Sequence, residues 1–302
     1  MSITLEKLEQ EVAQRVGPYW RFFTDRQVPN TAQFTFANFP ELRTQIDSDL
    51  PTNLWMLRRG ETVDGTPVSM DVVDKQRTVD VYDPEQGRVF PDRPWGVPPS
   101  PGEWIEFHHL NPDQQLLPAV RAGLARCFLP DTVQAQPTAP YGGIDLTVQF
   151  PWLTDPWQVA RVRYGWIGPY QDAPFDTYTR QGHLILSGTH GMALPMAVWV
   201  DTWRPAWSLV NGVDSDGPTE DDDVLEVPLS YAAAAAHIEA WHLFPDWMQE
   251  AAAGNLQPTR DQAAQEFSRL AQIYGPTRPR EIGFNTVVRV GVAGGGWVNS
   301  PW

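Results

Sequence analysis

The chain has 302 residues, 37 of them acidic against 22 basic, for a formal net charge of -15. A surface that negative repels phosphate backbones, which excludes a tight grip on nucleic acid but not a passage through which DNA slides. Hydrophobic residues make up 42% and aromatics 12%, with 14 Trp, so a large core is within reach, while 29 Pro and 23 Gly without a repeat predict many loops and exclude a long coiled coil.

Cys127 is the only cysteine, which excludes an intramolecular disulfide and a cysteine-cluster metal site and fits a reducing compartment. Glu6, Glu9 and Glu11 interrupt the apolar positions at the start, against a signal or transit peptide. No apolar run approaches the roughly 20 residues of a membrane span, so no membrane partner is expected.

In chain order, Leu5, Leu8, Val12 and Val16 recur at helical spacing behind Thr4 and stop at Gly17-Pro18, which predicts a short amphipathic helix whose stripe needs a partner. Residues 33–36, 54–57 and 78–82 read as strands of a small antiparallel sheet, and 90–102 as a proline-rich loop pinned by Trp95. Asn111-Pro112-Asp113 opens a second helix with Leu116, Leu117, Val120, Leu124 and Cys127-Phe128 on one face, and Pro118 is a candidate kink.

Residues 143–150, 159–164, 184–186 and 197–203 read as strands of a second sheet or sandwich, with 224–229 as an edge strand. Ser230 opens an alanine-rich helix over 231–253, breakable at Phe244-Pro245-Asp246. Residues 260–274 form another, paired antiparallel with it through Gly254-Asn255. Residues 286–292 are strand-like, and Gly294-Gly295-Gly296 precedes a tail bearing Trp297 and Trp302, aromatics large enough to need a pocket.

The expected fold class is α+β: a small helical core of about four helices, two strand-rich antiparallel insertions and an extended C-terminal tail. The divisions are 1–30 (helix and linker), 31–110 (β-rich insertion), 111–142 (core helix and loop), 143–229 (sandwich-like insertion), 230–280 (helical pair) and 281–302 (tail).

Candidate chemistry is sparse. His108 and His109 are adjacent on a strand, so their side chains diverge. His183 and His190 flank a short strand, and His237 and His242 are five apart on a helix, which misses the four-residue spacing of helical metal pairs. Asp214, Asp216 and the run Glu220-Asp221-Asp222-Asp223 lack EF-hand spacing and read as a solvated acidic loop, with cation binding as the alternative. The triple glycine lacks the lysine and helix of a P-loop, and no G-x-S-x-G elbow is present. No catalytic residue, cofactor site or metal site is assigned, and the protein is not expected to be an enzyme. The assembly interface is expected at Leu5, Leu8, Val12, Trp297, Val298 and Trp302.

The opening helix with Arg15-Val16-Gly17-Pro18-Tyr19, the stretches Pro101-Gly102-Glu103 and His109-Leu110-Asn111-Pro112, and Ala119-Val120-Arg121-Ala122-Gly123-Leu124 together resemble head-to-tail adaptor proteins of actinobacterial tailed phages. Residues 231–241 and 261–274 resemble their C-terminal helices. The resemblance implies a virion structural protein, assembled in the host cytoplasm and located in the neck, forming a homo-oligomeric ring, commonly a dodecamer. Its implied partners are the portal protein, a stopper or tail protein, and genomic DNA that passes without specific binding. The strand-rich insertions depart from the minimal adaptor. The alternatives are another neck, tail-terminator or baseplate protein and, in a different class, a glycan-binding or glycan-hydrolysing β-sandwich, which would present Trp in a groove beside two carboxylates.

Overall fold

The computed structural model describes residues 3–23, 33–35, 54–59, 76–83, 85, 88–96, 104–136, 143–165, 171–172, 175–187, 197–206, 224–253, 258–276, 289–291 and 297–299. Strand β1 (Ile3–Thr4) leads directly into helix α1 (Leu5–Val16), whose Leu5, Leu8, Val12 and Val16 are all at most 1% exposed. Gly17 ends the helix where the chain runs against His109: a Cβ at Gly17 would lie 2.3 Å from the His109 Cβ, so only glycine fits.

Strands β2 (Tyr19–Phe23), β3 (Phe34–Thr35), β4 (Trp55–Arg59), β5 (Gln76–Asp83), β6 (Arg88–Pro91) and β7 (Trp104–His108) form one antiparallel sheet in the order β2-β7-β4-β5-β6-β3. The expected strands lie in it; β2, β6 and β7 join them because each supplies an alternating face. Phe22, Leu54, Met56, Val79, Val89, Trp95, Ile105 and Phe107 make the core on one side of this sheet.

Asn111 caps the next helix. Its side chain accepts the Gln114 N–H at 2.8 Å, and its own N–H is accepted by the Gln115 side chain at 2.8 Å. The first turn, Pro112–Leu116, is π-wide: the Leu116 and Leu117 N–H groups reach back five residues, to Asn111 and Pro112. From there α2 (Leu117–Arg126) is regular. Pro118, which has no N–H to give, sits where the register tightens, so the missing donor falls at an existing irregularity.

The chain departs from the expected elements at two places. Phe128 does not end the helix but begins β8 (Phe128–Ala135), whose eight residues pair with β14 (Ala197–Pro205) from Phe128 opposite Pro205 to Ala135 opposite Val198. This strand is an edge of its sheet, where Pro130 is tolerated. Residues 143–150 do not form one strand. Only β9 (Ile144–Asp145) is extended, because the Asp145 carboxylate accepts the Val148 N–H at 3.1 Å and caps α3 (Leu146–Gln149).

Strands β10 (Val159–Gly165), β11 (Gln171–Asp172), β12 (Asp176–Arg180), β13 (His183–Ser187) and β14 (Ala197–Pro205) follow, and form antiparallel sheets ordered β11-β10-β14-β8 and β12-β13-β9. Both sheets feed a single core that includes Ile144, Val162, Leu184, Leu186, Val198 and Val200, as a sandwich requires. Strand β15 (Val224–Leu225) pairs with β1.

Helix α4 (Leu229–Leu243) is buried from Tyr231 through Ala240 on every side, and the small side chains Ala232–Ala236 make that possible. It stops at Phe244, and Pro245 opens α5 (Pro245–Ala253) at the break the sequence marks. The last helix is α6 (Arg260–Tyr274). The junction at residues 254–255 lies outside the described residues, as does the acidic run 214–223. Near the C-terminus β16 (Arg289–Gly291) pairs with β17 (Trp297–Asn299), so a hairpin occupies part of the expected extended tail.

The fold is α+β. It divides into two compact units: Glu6–Gly123 with Ala233–Glu266, called the helix-and-sheet unit below, and Met1–Leu5, Leu124–Ala232 and Phe267–Trp302, called the sandwich unit. In the helix-and-sheet unit α2 and α4 pack so tightly at Gly123 that a Cβ there would lie 2.4 Å from the Ala236 nitrogen. In the sandwich unit Tyr231 stacks on Phe267 with ring centroids 5.9 Å apart and touches Tyr274.

Candidate functional site

Among the described residues, a dense gathering of ionisable groups lies between α1 and the face of the sheet opposite its aromatic core. The sequence of β7, Trp-Ile-Glu-Phe-His, sends Ile105 and Phe107 into that core and Trp104, Glu106 and His108 to the other face. Register with β2 places Tyr19 opposite His108, Arg21 opposite Glu106 and Phe23 opposite Trp104. Helix α1 covers this face with Glu6 and Gln10, one turn apart.

Glu106 is fully buried and accepts on both oxygens. Oε1 receives the Gln10 Nε2 at 3.0 Å and lies 3.3 Å from the Arg21 Nε; Oε2 receives the His108 Nε2 at 3.1 Å. The Glu6 Oε1 receives the same Gln10 amide at 2.8 Å and the Arg21 Nη2 at 3.2 Å. Gln10 and Arg21 therefore each bridge two carboxylates. Arg21 also lies over the Trp104 ring at 4.2 Å, and Tyr19 meets His108 edge-on at 5.3 Å. Buried charges persist only when paired and hydrogen-bonded, and this network meets that condition by tying helix to sheet. Chemically it is a carboxylate–imidazole pair, but His108 is 1% exposed and Glu106 fully enclosed, so its evident effect is to fix α1 on β2 and β7.

A second charged group sits in the aromatic core. Arg58 and Arg77, 2% and 5% exposed, place their guanidinium carbons 5.2 and 4.7 Å from the Trp95 ring centroid. Arg77 donates to the backbone carbonyls of Gln76 at 2.6 Å and Pro94 at 3.4 Å. The loop residue Trp95 is thus pinned as the sequence predicts, by two arginines that the sequence reading did not single out.

The histidines diverge as their spacing requires. His108 joins Glu106, whereas the His109 Nε2 donates to the Trp247 carbonyl at 3.0 Å. His183 is paired with Asp145 at 2.9 Å on the surface, His242 with Glu239 at 3.1 Å, and His237 is completely enclosed; His190 lies outside the described residues.

The expected interface residues fare differently. Leu5, Leu8 and Val12 are 1%, 0% and 0% exposed, covered by their own chain. They offer a second copy no surface, and the expectation that they form an assembly interface is corrected: the stripe's partner is intramolecular. Trp297 and Val298 lie in β17, opposite Gly291 and Val290, and Trp302 is outside the described residues. Glu106 and Arg21 escaped the sequence reading, although a lone glutamate alternating with apolar residues in a strand is a legible mark of a buried polar contact.

Cys127 is fully buried in the sandwich unit, with its Sγ 3.9 Å from the Tyr231 carbonyl, and burial raises its thiol pKa. Burial likewise raises the Tyr231 phenol, with Cys127 as the second cause. A thiol held protonated is a poor nucleophile. In the native protein Cys127 is expected to stay silent toward a disulfide reagent for as long as the fold persists, and to titrate as one thiol in denaturant. Fast native labelling would show that this core opens.

No protein-family model, curated protein or solved structure matches the chain.

Proposed function

We propose that the protein is a virion structural protein, a head-to-tail adaptor that assembles with copies of itself and docks between portal and tail. The supporting observation is that the helices carrying the adaptor resemblance meet one another. Arg15 of α1 pairs with Glu266 of α6 at 2.9 Å, Gly123 of α2 lies against Ala235 and Ala236 of α4, and Tyr231 of α4 stacks on Phe267 of α6. Segments up to 251 residues apart thus build one another's surroundings. The net charge of -15 suits a lumen through which DNA passes.

With the α1 stripe closed internally, contacts between copies would fall to apolar groups that remain in water. Leu243 and Trp247 stand out at the α4–α5 corner, and Ile273 and Tyr274 in the last turn of α6, where Ile273 is 59% exposed. Native mass measurement tests the reading, on the purified 34.0 kDa chain alone and mixed with its cognate portal protein. The expected result is a closed oligomer or a stable portal complex, weakened at least tenfold by Ile273→Asp without loss of thermal stability. A monomer that ignores the portal overturns it.

A further inference from the structure

The network under α1 satisfies its charges; His237 does the reverse. It lies on α4, completely enclosed, and neither ring nitrogen has a hydrogen-bond partner. A neutral imidazole tolerates that at moderate cost. An imidazolium does not, because it would carry two N–H donors and a full charge into a space with no acceptor. The charged groups whose fields act on the ring are Arg15, from α1, and Glu266, from α6; these two pair at 2.9 Å, and Arg15 also holds Glu11 of its own helix at 3.0 Å. Arg15 opposes a second positive charge. Glu266 would favour one, but its carboxylate is already engaged by Arg15.

We propose that His237 is an acid-sensitive lock on the helical core of the helix-and-sheet unit: neutral, it lets α4 sit enclosed, and protonation drives α4 out of that packing. The device is independent of the proposed assembly role and needs no partner.

Burial, then Arg15, hold the imidazole down to about 4, against an ordinary value of 6.5. The contribution of the neutral ring is complete above pH 6.5 and is lost as pH falls toward 4, because the opened state takes up the proton first. At pH 4.5 these values make opening roughly 60-fold more favourable than at pH 7.

Amide hydrogen exchange of the α4 segment, corrected for intrinsic rates, measures this in the whole protein between pH 7 and 4.5. The expected result is a rise in the opening equilibrium of roughly 60-fold in the wild type, of which His237→Gln, having no proton to take up, removes the greater part. Equal pH dependence in the two proteins overturns the proposal. Should the variant fail to fold, the assigned His237 ring signal in a wild-type NMR titration decides instead. A ring that stays neutral to about pH 4 supports the lock, and one that titrates at 6.5 in the folded protein overturns it.

Discussion

Glu106→Ala is expected to lower the stability of the helix-and-sheet unit by about 3 to 5 kcal/mol, the cost of leaving one side of a buried ion network without its partner. The carboxylate is fully buried and is approached by Gln10, Arg21 and His108 within 3.0 to 3.3 Å. Its removal takes away the acceptor shared by the Gln10 amide, the Arg21 Nε side and the His108 Nε2, and Glu6, the other carboxylate on Arg21, holds only Nη2. Chemical denaturation followed by circular dichroism measures the loss, with Glu106→Gln as the companion that keeps shape and loses charge. A double variant in which Arg21→Met accompanies Glu106→Leu should recover a large part of the loss, since two apolar groups of similar size do not require each other. A cost below about 1 kcal/mol for Glu106→Ala would mean that water enters the network and that it does not hold α1 in place.

This network also marks the limit of what the sequence makes legible. Helix α1 and its stripe follow from spacing alone, as do α6 and the break before Pro245, because a 3.6-residue period and a proline act locally. What covers the stripe is not a local property. The same Leu5, Leu8 and Val12 pattern serves a neighbouring copy or the body of the chain itself equally well, and the choice depends on how α1 is seated by contacts such as Gln10 with Glu106, 96 residues apart. The strand β8 was hidden for a related reason. Its residues hold their extended form through a ladder to β14, about seventy positions on, while the local pattern carries the preceding helix to Cys127-Phe128 and reads as loop beyond. Asp145 shows the converse case, in which one local side-chain hydrogen bond turns a strand-like run into a helical turn.

Trp95→Ala should cost about 3 to 5 kcal/mol, because a large ring that is 2% exposed leaves a cavity and the loop around it loses its anchor. The side chain lies in the cluster with Phe22, Met56, Ile105 and Phe107, so the cavity opens in the middle of the sheet's core. Its indole N–H has no hydrogen-bond partner, which means that Trp95→Phe gives up volume but no hydrogen bond. Two contributions can therefore be separated. Trp95→Leu retains apolar volume and removes the aromatic face over which Arg58 and Arg77 lie, whereas Trp95→Phe retains a smaller face. If the cation–π contacts matter in this desolvated setting, Leu should be less stable than Phe by about 1 to 2 kcal/mol, and adding Arg77→Met should narrow that gap. Equal stability of Leu and Phe would reduce Trp95 to a space-filling anchor. Differential scanning calorimetry at neutral pH, where the His237 contribution is complete, keeps that comparison free of the acid response.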